Sequence, residues 1–263
     1  MKLCLLTYLI ARSWDLDRII RVARECGFAG IELRTEAGHA HGVELEISAA
    51  ERRAVREKVE DAYLELVGLG TGSRFESPDH AERQAIIERT KRYIVLAHDV
   101  GCKRVRVFGN NIPAGVRREG CVRWVGESLR ELGEFAAPLG VDVLLEMHGQ
   151  FNYYDFSRTA VQIADHPRVG LVYNSDPRDL VAGSVAAVYS QVRPWIRHVH
   201  MHTFQGAYPY PELIALLKAD GYQGYFSSEI EVENPTAEQY LAVYASLFRA
   251  WAGQPFFGGP EEG

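Results

Sequence analysis

The sequence is short of the features that usually identify a chain at once. Its four cysteines, Cys4, Cys26, Cys102 and Cys121, are widely spaced and form no Cys-x-x-Cys pair. They read as core or near-surface thiols of a reducing compartment. No apolar run approaches the length of a membrane span. The opening segment, MKLCLLTYLIARSW, carries one Lys and a short apolar run and reaches Asp15 at once, unlike a secretion signal. Cytoplasm is therefore the expected location, with no membrane partner. Positive charge is not in excess: the net charge is -6 and the pI is near 5.9. That balance argues against a protein built to grip nucleic acid. No Gly-x-Gly-x-x-Gly follows the first apolar run, there is no Walker-type Gly-Lys-Ser/Thr loop, and no Pro/Gly/Ser-rich linker divides the chain.

What remains is an ordinary globular composition, 263 residues with 47% hydrophobic and 24% charged, long enough to bury a full core. Short β-rich runs alternate with stretches of helical period. The spacing predicts strands at Leu3–Tyr8, Gly30–Leu33, Leu66–Thr71, Arg104–Phe108, Val141–His148, Val169–Tyr173, Ile196–His202 and Tyr225–Ile230. Helices are expected between them at Asp15–Cys26, Ser48–Leu64, Asp79–Val100, Arg117–Pro138, Ser157–Asp165, Leu180–Val192 and Pro209–Asp220, with a last one at Pro235–Ala252. Ser48 followed by Glu51 is a capping-box pattern. Strand–helix alternation implies a parallel sheet. Eight such units in about 250 residues match an α/β fold, a single (β/α)8 TIM barrel. The barrel is expected to occupy residues 1–257, with 258–263 (GGPEEG) as a disordered tail.

Three of the strands end in acids or imidazoles at alternate positions. Glu146 pairs with His148, His198 with His200 and His202, and Glu229 with Glu231. Side chains two apart in a strand share a face, and buried polar strand ends are costly unless they bind something. In a barrel these positions fall at the C-terminal rim, where active sites sit. Two glutamates on different strands could share a divalent cation or act as acid and base across a substrate. Imidazole suits zinc, manganese, iron and cobalt.

Other polar groups have local readings as well. Asn174-Ser175-Asp176 follows the sixth strand and is also a turn sequence. Glu32 and Arg34 share a face, where a salt bridge and a substrate contact are equally open. Arg106 and Phe108 share another, and His39 and His41 lie in a glycine-flanked loop.

The segments GFAGIEL (27–33), RVRVFGN (104–110), VLLEMHG (143–149), VGLVYN (169–174), IRHVHMH (196–202) and GYQGYFSSEIE (221–231) together resemble the sugar phosphate isomerase/epimerase group of xylose-isomerase-like barrels. The resemblance runs over essentially the whole chain. It implies a divalent metal (manganese, zinc, cobalt or magnesium) held by Glu146, His200 and Glu229, with Asn174 where the family has an aspartate. An amide is a weaker, neutral ligand, so Asp176 is an alternative fourth corner. The family's Lys-Asp after the strand-seven histidine is replaced by His202-Thr203.

The chemistry implied is isomerisation, epimerisation or a related elimination of a sugar, keto-polyol or sugar phosphate through an enediolate. Glu146 and Glu229 would transfer protons, while His148, His202, Asp176, Glu32 and Arg106 are candidates for substrate contact. A homodimer or homotetramer is the assembly the resemblance suggests. Two competitors stand beside this reading. One is a barrel that has lost efficient metal binding and serves as a binding module or complex subunit. The other is a phosphodiesterase of the endonuclease IV kind, which needs further His and Asp ligands where strands three and four offer Gly70-Thr71-Gly72 and Phe108-Gly109-Asn110.

Overall fold

The structure, a computed structural model, describes residues 1–204, 208–230 and 236–255. Eight parallel strands close into a barrel in chain order. They are β1 (Lys2–Leu6), β2 (Gly30–Arg34), β3 (Glu65–Arg74), β4 (Arg104–Phe108), β5 (Asp142–Glu146), β6 (Val169–Asn174), β7 (Ile196–Met201) and β8 (Tyr225–Ser228). The helices that follow them are α1 (Leu16–Glu25), α2 (Ala49–Asp61), α3 (His80–Asp99), α4 (Arg118–Ala136), α5 (Tyr154–Ala164), α6 (Ala186–Val192), α7 (Tyr210–Ala219) and α8 (Ala237–Ala252). The expected (β/α)8 architecture is what forms.

Helix starts follow from side-chain caps. Asp15 accepts from Arg18 N at 2.8 Å and Asp79 from Ala81 N at 2.8 Å. Ser48 and Glu51 close the capping box in both directions. Each such cap is worth about 1 kcal/mol.

Several element bounds differ from the sequence reading, most of all around α6 and between β5 and α5. Helix α6 begins at Ala186 rather than Leu180, because Pro177–Asp179 forms a separate helical turn capped by Asp176. Val181 and Ser184 then bridge before the helix starts. Strand β5 stops at Glu146, and His148 belongs to the turn that leads through Gly149–Asn152 into α5, which starts at Tyr154 rather than Ser157. The expected helix start at Pro235, the side chain of Glu231 and the 258–263 tail lie outside the described residues.

Period two divides each strand between two environments. Val105, Val107, Val143, Leu145, Leu171, Tyr173, Val199 and Met201 are buried in one continuous apolar cluster between the barrel and its helices. Their neighbours face inward, and there aliphatic groups such as Leu144 and Val172 share the barrel with many polar ones: Glu32, Arg106, Glu146, Asn174, His198, His200 and Ser227 are all buried. Glycines on β3 make the room. A Cβ on Gly68 would lie 3.3 Å from Glu32 Cγ, and one on Gly70 would lie 2.9 Å from Arg106 Nη2.

Candidate functional site

Register carries the inward side chains to one level. Glu146 pairs with Val172, Asn174 with His200, and His200 with Ser227. At the carboxyl end of the strands His200 Nδ1 lies 3.2 Å from Glu229 Oε2 and 3.8 Å from Glu146 Oε1. Donor atoms of these three residues all fall within 4.8 Å of one another. The structure thus brings together Glu146, His200 and Glu229, the three residues the family resemblance singled out.

Two of the atoms facing one another lack a hydrogen bond. His200 Nδ1 and Glu229 Oε2 are buried, 3.2 Å apart, and make none, whereas buried polar atoms in native proteins nearly always have a partner; Glu146 Oε2 lies against Arg106 Nε instead. A divalent cation satisfies such a set, and carboxylate and imidazole are the donors it takes. The residues therefore fit the metal that their types suggest.

Asn174 completes the group. Its Nδ2 donates to Glu146 Oε1 at 3.0 Å, and its Oδ1 accepts from His202 Nε2 at 2.7 Å. Asp176 does not take this corner. Its carboxylate accepts from the backbone N, Nε and Nη2 of Arg178, so it belongs to the turn after β6.

Electrostatics set the charge balance of the site. Burial alone would raise the Glu146 pKa, but the Arg106 guanidinium, with His200 behind it, outweighs burial and holds the carboxyl at about 2. Arg106 Nε is 2.8 Å from Glu146 Oε2, its Nη1 donates to Thr71 O at 2.7 Å, and the guanidinium lies 4.0 Å from the Phe108 ring centre. Burial works against a charged His200, yet Glu32, then Glu146 and Glu229, raise its pKa well above the ordinary value. A proton on Nδ1 and the Arg106 charge thus balance the carboxylates. A metal arriving at Nδ1 would displace that proton.

The remaining candidates sort by height in the barrel. His202 stands at the mouth, 3.8 Å from Glu229 Oε2, with its backbone N–H donating to Tyr210 OH at 3.0 Å. His148 is exposed at the same rim, its Nδ1 3.2 Å from Asn110 Oδ1 and its ring 5.0 Å from Phe108.

Glu32 is a correction. It is buried beneath His200, bonded to His198, His200 and Ser227, so it neither pairs with Arg34 nor reaches the mouth as a substrate contact would. Arg106 likewise spends its side chain on Glu146 and Thr71. His198 shares the inward face of His200 and His202 but sits one layer deeper, held by Glu32 and Ser227. His41 fastens its loop through Arg34 O and Val43 N. Neither His39 nor His41 belongs to a donor cluster among the described residues.

Sequence reasoning passed over Ser227 and Asn110. Ser227 had a signal, since it stands two before Glu229 on the same face; Asn110 in the glycine–asparagine turn had none.

Fold and donor cluster together define a (β/α)8 barrel with a carboxylate–imidazole centre at its carboxyl end. The chain belongs to the xylose isomerase-like TIM barrel family, whose model matches residues 20–249. Among solved structures, D-psicose 3-epimerase from Clostridium cellulolyticum H10, crystallised with D-tagatose, superposes with a TM-score of 0.81 at 16% identity, covering 97% of this chain and 100% of that one. IolI with a bound zinc atom gives 0.80 at 19% identity, covering 96% and 98%. The probable 3-DHS dehydratase AsbF from Bacillus anthracis gives 0.74 at 20% identity, covering 94% and 98%. At these identities the likeness is one of fold. No curated protein sequence matches the chain. Among the described residues no helix is long and apolar enough to cross a membrane.

Proposed function

We propose that this chain is a divalent-metal-dependent isomerase or epimerase, or a related lyase, acting on a small sugar or keto-polyol by proton transfer next to a carbonyl. The observation that carries this reading is the convergence of His200 Nδ1 and Glu229 Oε2, both buried without a hydrogen bond, with the Glu146 carboxylate at the carboxyl mouth of the barrel. Ketose 3-epimerases and a zinc-containing barrel among the similar structures support the substrate class and the metal.

Glu146, His200 and Glu229 would hold the cation, and Asn174, whose Oδ1 now accepts from His202 Nε2, would turn that oxygen inward to serve as the fourth donor. When bound, the metal supplies positive charge that acidifies a C–H next to a carbonyl. Glu229 is the better placed of the two acids to move the proton, because Glu146 is tied on one oxygen to Arg106 and on the other to Asn174. Proton return to the other face of the same carbon gives an epimer. Return to the neighbouring carbon gives an isomer, and loss of a β-hydroxyl gives dehydration. His202 and His148 stand at the rim, where substrate hydroxyls would lie.

The test is solvent-deuterium incorporation next to the carbonyl across a panel of ketoses and keto-polyols, with and without phosphate groups. Glu229→Gln should slow exchange by about 10²–10⁴-fold, the usual contribution of a positioned acid–base group. Undiminished exchange in both Glu229→Gln and Glu146→Gln would sink the assignment.

One observation favours a second reading, a barrel with weakened metal binding that serves as a binding module. Asn174 turns its Nδ2, not its oxygen, toward Glu146, and Arg106 already neutralises that glutamate. Metal uptake by the purified protein separates the two.

A further inference from the structure

We propose that Glu32 is a positioning residue, which holds the His200 imidazole with Nε2 protonated so that Nδ1 is the nitrogen offered to a metal. The inference rests on the metal reading above. His200 Nε2 lies 3.2 Å from both Glu32 carboxylate oxygens. An ionised carboxylate only accepts, so the proton of that contact belongs to Nε2. The other ring nitrogen is left facing Glu146 and Glu229 without a hydrogen bond.

Glu32 is itself held from three sides. Its Oε2 accepts from His198 Nε2 at 2.9 Å and from Ser227 Oγ at 2.5 Å, besides His200. His198, which with Glu32 and His200 forms a second, deeper donor group, acts in this proposal as the donor that fixes the carboxylate. The backbone is shaped around this group. The β2–β3 register jumps between Ile31, opposite Leu66, and Glu32, opposite Gly68, so β3 carries one extra residue, Val67, beside this step. Bulges re-aim side chains beside functional sites. The residue brought opposite Glu32 is the glycine whose missing Cβ leaves room for the Glu32 stem.

A carboxylate buried in the middle of a barrel, far from solvent, is expensive to keep unless its partners need it. Here the partner is His200, the imidazole within the donor cluster. Orienting a ligating histidine through its second nitrogen typically contributes 10–100-fold, roughly, to metal affinity.

The experiment uses the full chain loaded with zinc. Long-range ¹H–¹⁵N spectra of the wild type should show His200 bound through Nδ1 with a protonated Nε2, and zinc on Nε2 would overturn the proposal. Glu32→Gln, checked for folding by circular dichroism, should bind zinc about 10–100-fold more weakly. A folded Glu32→Gln with wild-type affinity and the same zinc-bound nitrogen would overturn Glu32's role while leaving the metal site standing. Should the wild type take up no zinc at all, the metal reading fails, and this inference fails with it.

Discussion

Arg106 Nε stands 2.8 Å from Glu146 Oε2 across neighbouring strands, with both side chains buried. The pair puts a fixed positive charge against a carboxylate that also faces the metal-type cluster. It has two consequences. Glu146 is kept ionised and immobile, ready as a ligand but poorly free as a base. And a metal, if bound, shares Glu146 with a guanidinium.

Replacing Arg106 by Met leaves Glu146 buried and unpaired. Breaking a buried pair from one side is expected to cost about 3–5 kcal/mol of stability. Denaturant unfolding of the metal-free protein checks this. Added manganese or zinc should restore part of the loss, because the cation takes over the neutralising role; a variant as stable as wild type without metal would contradict the account.

Asn174→Asp should have opposite effects with and without metal. In the metal-free protein the N–H donated to Glu146 Oε1 becomes a second negative oxygen facing that carboxylate, so stability should fall. Toward a divalent cation the added charge should strengthen binding by about tenfold or more, roughly 1.4 kcal/mol. Calorimetric titration of both proteins with manganese gives the comparison, and unchanged affinity would remove Asn174 from the site.

The pH dependence has a definite sign. Glu146 is held at about 2, below its ordinary 4.5, because Arg106 and His200 outweigh burial. A depressed carboxylate contributes stability that is present above the unfolded pKa and lost as pH falls through the folded one. Of the order of 3 kcal/mol should therefore disappear between about pH 4.5 and 2. His200, raised by Glu32 and the site glutamates against its burial, contributes below pH 6.5 and loses that contribution as pH rises through its folded value. Urea unfolding at several pH values should show the acid loss in wild type and a much smaller one in Arg106→Met. An equal loss in both would detach Glu146 from Arg106.

Much of this was legible in the sequence. The barrel was, because outward positions such as Val143, Leu145, Val199 and Met201 mark strands by apolar runs, and glycines and caps mark the helix ends. Period two placed Glu146, the three alternating histidines and Glu229 on inward faces of apolar strands, but it was the family resemblance that singled out Glu146, His200 and Glu229. The role of Glu32 was not. Its partners His198, His200 and Ser227 lie 166 to 195 positions away, and nothing local distinguishes a residue at the mouth from one a layer deeper. Asp176 failed as a ligand for a local reason the sequence did contain: Arg178, two residues on, claims its carboxylate. The late start of α6 follows the same turn.

The most direct test of the central claim is metal uptake by the purified, reconstituted chain, measured by elemental analysis and by titration with manganese and zinc. The account predicts stoichiometric binding in wild type, with His200→Ala and Glu229→Gln each weakening it severely while the barrel stays folded. A wild-type protein that takes up no divalent metal, or one whose affinity is untouched by both substitutions, would contradict it.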